Sequence, residues 1–116
     1  FTGQVWIEPI ITAPAPARNR SVRVKFEPGA RTAWHSHPLG QTLYVTSGIG
    51  LAERETLHLQ IMRAGDTVWI APGEEHWHGA APESGMEHIA IHEAESGFVT
   101  TWMEHVSDED CRVLSE

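Results

Sequence analysis

Polar and apolar positions alternate over short stretches of this chain. Ser21-Val22-Arg23-Val24-Lys25-Phe26 does so strictly. Successive side chains of a strand point to opposite faces, so Val22, Val24 and Phe26 share one face and Arg23 and Lys25 the other. Gln41 to Thr46, Leu57 to Ile61, Thr67 to Ile70 and Met86 to His92 also read as strands, being enriched in Val, Ile, Thr, Trp and Tyr. Glycine and proline interrupt the chain at Pro28-Gly29, Pro38, Gly40, Gly48, Gly65, Pro72-Gly73 and Gly85, which leaves little room for long helices. Short strands separated by frequent turns predict an all-β sandwich or barrel. One short helix is predicted, at the C-terminus: Ser107 is a suitable N-cap, Asp108, Glu109 and Asp110 fill the first turn, and the helix runs through Leu114. Residues 1–20, with the proline-rich stretch Pro9 to Arg20, read as an extended N-terminal arm that packs on a neighbouring subunit.

Length and charge narrow the picture. The 116 residues suffice for one core, so 1–116 is read as a single domain. A formal charge of -8 repels phosphate backbones and anionic lipid, and no apolar run approaches the roughly 18 residues that span a bilayer. Neither nucleic acid nor membrane is an expected partner. A lone cysteine, Cys111, forms no internal disulfide, which suits a reducing cytoplasm.

The eight histidines carry the chemistry. His35 and His37 flank one serine, and residues two apart in a strand point to the same side, so both imidazoles reach one ion. Gln41 follows the turn-forming Pro38-Leu39-Gly40, and a reversal there returns its side chain toward the same point. His76 and His78 repeat the two-residue spacing. His88 and His92 share one face of the last strong strand, opposite Ile89 and Ile91. A lone His-x-His pair is weak support for a metal. The longer spacing is stronger: Gly29, five residues, His35-Ser36-His37, three residues, Gln41, six residues, Gly48, and then a second block from Gly65 through Ala71-Pro72-Gly73-Glu74-Glu75 to His76.

This resembles the two motifs of the cupin family, a double-stranded β-helix or jelly-roll barrel whose ligands match His35, His37 and His76. Three positions depart from the family pattern. Gln41 stands where glutamate is usual, Ala71 stands where the motif proline falls, with Pro72 one place late, and Ala80 replaces a frequent asparagine. Only Gln41 affects the chemistry. Three imidazoles and an amide oxygen leave the +2 charge of a metal uncompensated, which favours Lewis-acid catalysis over the support of higher oxidation states. Ligand softness admits Mn, Fe, Co, Ni or Zn.

Within cupins the chain is similar to small manganese-dependent bacterial hydroxynitrile lyases, through Phe26 to His35, His37 to Leu43, Pro72 to Pro82 and Trp102 to Glu109. The resemblance implies one Mn(II), with Fe(II), Ni(II) or Zn(II) as alternatives, held by His35, His37, Gln41 and His76. It also implies cleavage and synthesis of cyanohydrins such as mandelonitrile. His78 is the candidate proton-transfer group, His88 and His92 its possible partners, and Thr32, Val22, Val24 and Phe26 shape the substrate pocket. His92 departs from those lyases, which carry glutamine at the matching place. The plainer reading of His78, His88 and His92 is packing and support of the ligands; His58 and His105 are read as ordinary histidines, and Trp34, Trp69, Trp77 and Trp102 as packing and interface. Competing functions are an iron-dependent cupin dioxygenase and a non-catalytic small-ligand-binding cupin associated with aromatic degradation. A homodimer or homotetramer is expected.

Overall fold

The computed structural model describes residues 1–55, 57–95 and 100–103, and every regular element among them is a strand. In chain order these are β1 (Val5–Thr12), β2 (Asn19–Phe26), β3 (His35–Ser36), β4 (Gln41–Arg54), β5 (Leu57–Arg63), β6 (Thr67–Ile70), β7 (His76–Ala80), β8 (Met86–Glu93) and β9 (Thr101–Trp102). Their spatial order is β1-β2-β8-β4-β7-β3-β9, with β5 and β6 also paired to β4. All pairings are antiparallel, and the sheet is curled as a barrel, as expected. The predicted C-terminal helix and Cys111 lie outside the described residues.

Strand β4 joins the two halves of the barrel. Gln41 to Gly48 pairs with β6 and β8, whereas Ile49 to Arg54 pairs with β5 and β7. A register shift between Val45 and Ser47 marks the corner, as bulges do where strands bend. Gly48 sits there at φ 79°, and a Cβ on it would overlap the carbonyl oxygen of Gly85; glycine alone fits that conformation and that approach.

The strict alternation of β2 is realised: Val24 and Phe26 are buried while Arg23 and Lys25 are exposed. Antiparallel register carries this face across the sheet, aligning Val24 with His88 and Val45, and Val22 with Ala90, Leu43 and Val68. Phe26, Leu43, Val45, Met62, Ile70 and Met86 fill the core at 2% exposure or less. Burying each such side chain contributes roughly 1.5–3 kcal/mol. A second cluster of Leu51 and Trp77, with Trp34 and Leu59 against it, packs outside β7.

The segment expected to be an arm is, from Val5 to Thr12, a strand hydrogen-bonded to β2 of its own chain. Pro9 is tolerated because β1 is an edge strand in this order and the ladder shifts register between Pro9 and Ile11. The outward face of this sheet carries a row of paired positions, Ile11, Ser21, Ile91, Thr42 and Trp69, of which Ile11, Ile91 and Trp69 are exposed.

Candidate metal centre

Four strands and one turn bring the histidines and Gln41 together. His35 pairs with His76 across β3 and β7. His37 lies just beyond β3 and is fixed by its carbonyl, which accepts from Gly40 N at 3.2 Å and Gly73 N at 2.9 Å. Gln41 opens β4 beside His92 of β8 and Ile70 of β6. His35, His37, Gln41 and His76 are each 3% exposed or less. The imidazole centroids are 4.9 Å apart for His35 and His37, 4.2 Å for His35 and His76, and 5.3 Å for His37 and His76. The four residues expected as ligands are therefore neighbours inside the barrel.

Their tautomers follow from their partners. His35 Nδ1–H donates to Ala33 O at 2.7 Å and His76 Nδ1–H to Glu74 O at 3.1 Å, because a carbonyl oxygen only accepts. Each neutral ring is left with a lone pair on Nε2. His76 Nε2 then faces Gln41 Oε1 at 3.1 Å, two acceptors turned toward one another. A cation relieves that opposition, so the donor set fits a metal ion. Burial, aided by neighbouring imidazoles, holds the His35 pKa down to about 2, and burial holds that of His76 down to about 4. Both rings are neutral near pH 7, as ligation requires.

The remaining histidines extend the cluster in two directions. His78 and His88 are buried and linked by His88 Nε2 to His78 Nδ1 at 3.0 Å, with Phe26 against both rings at 5.9 and 5.4 Å. Burial lowers the His78 pKa well below its ordinary value and that of His88 to about 4. On the other side His92 stacks on His37 at 5.1 Å, and burial brings its pKa to about 4. His78 Nε2, His88 Nδ1 and His92 Nδ1 are buried without a hydrogen-bond partner among the described residues. Donor atoms of His35, His76 and His78 all lie within 4.8 Å of one another, a three-histidine group able to hold a metal ion.

Of the pocket residues expected from sequence, Phe26 and Val24 are buried against the imidazoles' side of the barrel and Val22 packs on the same core. Thr32 is buried but turned to the backbone: its Oγ1 accepts from His78 N at 3.2 Å and its N–H donates to His78 O at 2.9 Å. It thus holds the His78 strand in place. His58 is exposed, and His105 lies outside the described residues. Sequence reasoning passed over Thr100, whose hydroxyl is 3.4 Å from His37 Nδ1, and Phe1, whose ring lies 5.6 Å from Trp102, itself 5.0 Å from His35. Neither has a local signal, since each meets the cluster only through long-range contact.

A barrel of this topology with inward-facing histidines on β3, β7 and β8 is the architecture of a cupin. A family model described as a cupin domain matches residues 22–92, and the chain belongs to that family. It is 56% identical over 112 residues to a protein named (R)-mandelonitrile lyase from Granulicella tundricola, covering 97% of this chain and 86% of that one. A cupin-like protein of known structure from Thermotoga maritima is 39% identical with a TM-score of 0.90, covering 96% of this chain and 84% of that chain. A DMSP lyase from Ruegeria pomeroyi shares the fold at 14% identity and a TM-score of 0.75, over 86% of this chain and 52% of that one. Among the described residues no helix is long and apolar enough to cross a membrane.

Proposed function

We propose that the protein is a metal-dependent lyase that cleaves and forms cyanohydrins, with mandelonitrile, benzaldehyde and HCN as the model reaction. The 56% identity to a protein named (R)-mandelonitrile lyase carries this reading, and the uncharged donor set supports it. His35, His37, Gln41 and His76 are the proposed ligands, and Mn(II) is the proposed ion. A divalent ion on these residues supplies Lewis acidity toward the substrate hydroxyl.

The chain's own residues then manage one proton. With His78 Nδ1–H donating to His88 Nε2, His78 Nε2 carries a lone pair and takes the hydroxyl proton. The O–H pair becomes the carbonyl π bond as the C–C bond breaks, and its electrons leave with cyanide. His78 Nε2 returns the proton to give HCN. Its lowered pKa leaves Nε2 unprotonated in acid, where cyanohydrins persist. His92 Nδ1, with no hydrogen-bond partner among the described residues, is assigned to orient the nitrile. Phe26, Val22 and Val24 provide an apolar wall suited to an aromatic or aliphatic side group.

The test is elemental analysis followed by a mandelonitrile cleavage assay near pH 5, before and after chelation. Metal-dependent benzaldehyde release, lost on chelation, restored by Mn(II) and reduced in Gln41→Ala and His78→Ala, is the expected result. Equal turnover in loaded and chelated protein overturns the reading, and oxygen uptake by iron-loaded protein with a phenolic substrate replaces it with the dioxygenase. The same proposal includes a cytoplasmic homodimer or homotetramer, supported by the exposed Ile11, Ile91 and Trp69.

A further inference from the structure

The three-histidine group of His35, His76 and His78 is not the donor set assigned above. His78 stacks beside His76 at 5.6 Å and lies 5.2 Å from His35. In all three rings Nδ1 already has a partner, at 2.7 Å on Ala33 O, 3.1 Å on Glu74 O and 3.0 Å on His88 Nε2. A partner on one ring nitrogen, leaving the other free to ligate, is how metal-binding histidines are held. His78 Nε2 is buried, with no hydrogen-bond partner among the described residues. Leaving such an atom unmatched costs about 1–3 kcal/mol, and a cation removes that cost.

We propose that the barrel contains two alternative metal stations that share His35 and His76. One is completed by His37 and Gln41, the other by His78. Donors about 2.1 Å from a tetrahedral ion are roughly 3.4 Å apart, so closing a separation of at most 4.8 Å takes about 0.7 Å of movement by each ring. The stations differ in chemistry. The first adds a fourth ligand, an amide oxygen, which suits Mn(II); the second is three imidazoles with one position left open, the arrangement that suits tetrahedral Zn(II) and also takes nitrogen-favouring Cu(II). Zn(II) or Cu(II) in the second station occupies His78 Nε2. If the cyanohydrin reading holds, these ions therefore inhibit by capturing the base; the station itself does not depend on that reading.

The experiment is equilibrium dialysis of the metal-free protein against Zn(II) or Mn(II), with elemental analysis and no substrate, so that failure of the station and failure of the lyase reading are separate results. His78→Ala and His78→Gln are expected to weaken Zn(II) binding by roughly tenfold or more, leaving Mn(II) binding within about twofold. Gln41→Ala is expected to do the reverse. The double variant His37→Ala/Gln41→Ala, which leaves the second station whole, should still bind one Zn(II). Zn(II) affinity indifferent to His78, equal weakening of both ions by every substitution, or loss of Zn(II) from a folded double variant overturns the proposal. Pulsed EPR of the Cu(II) form gives an independent reading: its imidazole-nitrogen couplings should persist in His37→Ala/Gln41→Ala and fall when His78→Gln is added to that double variant.

Discussion

Replacing His88 by leucine tests how the buried imidazoles link stability to pH. His88 is fully buried in the core beside Phe26, and its pKa is lowered from 6.5 to about 4, with desolvation the main cause. A base with a lowered folded-state pKa stays neutral when folded and takes a proton when unfolded. Its contribution is fully present above pH 6.5 and is lost as pH falls toward 4. Linkage gives a loss of about 2 kcal/mol for this one residue between pH 7 and pH 5, tending to about 3 kcal/mol below pH 4. His76, also lowered to about 4, acts in the same sense. Against a total stability of roughly 5–15 kcal/mol, the metal-free protein should weaken markedly over this range. At pH 7, His88→Leu strands His78 Nδ1 and costs about 1–3 kcal/mol. By pH 5 the variant has escaped the protonation penalty, so its deficit should shrink by about 2 kcal/mol and can vanish. Urea unfolding in the presence of chelator at pH 7, 6 and 5 measures this directly. A deficit that is the same at pH 7 and pH 5 refutes the reasoning, because the imidazole would then titrate alike in both states.

Two further substitutions separate the scaffold from the site. In Gly79→Ala the new Cβ would lie 2.5 Å from Ala30 O and 2.6 Å from Arg31 Cα. The 30–32 segment must move away from β7, straining the bonds Ala80 N to Ala30 O and Thr32 N to His78 O. We expect a loss of about 1–3 kcal/mol in thermal or urea unfolding together with weaker metal binding, and no change in either measurement contradicts the packing described. Trp77→Phe removes a fully buried ring's Nε1 donor to Glu53 Oε1 at 3.1 Å, on the side of β7 away from His76 and His78. It should cost about 1–2 kcal/mol while the folded protein's metal affinity, read by dialysis, stays within about twofold; a large affinity loss would show that the two faces of β7 are coupled.

Local chemistry made a good part of this protein legible without coordinates. The alternation in β2 named its buried face because side-chain direction in a strand depends only on the local backbone. The ligand spacing placed His35, His37, Gln41 and His76 together, because that spacing follows from two strands and tight turns meeting at one point. Strand β7 was harder to read: all five of its residues are buried, so it has no alternation to detect. Likewise β1 is recognisable only once β2 is there to pair with it, its Pro9 arguing against a ladder.

What tertiary structure alone decided is the identity of each neighbour and the proton each ring carries. The sequence by itself determined which residues carry imidazoles and that several would face inward. It did not specify that Ala33 and Glu74 carbonyls hold the Nδ1 protons of His35 and His76, that His78 leans on His88, or that His92 stacks on His37. Those contacts depend on sheet register between distant segments and on burial from every side. Register and burial turn a set of titratable side chains into neutral imidazoles, and neither follows from a residue and its near neighbours in the chain.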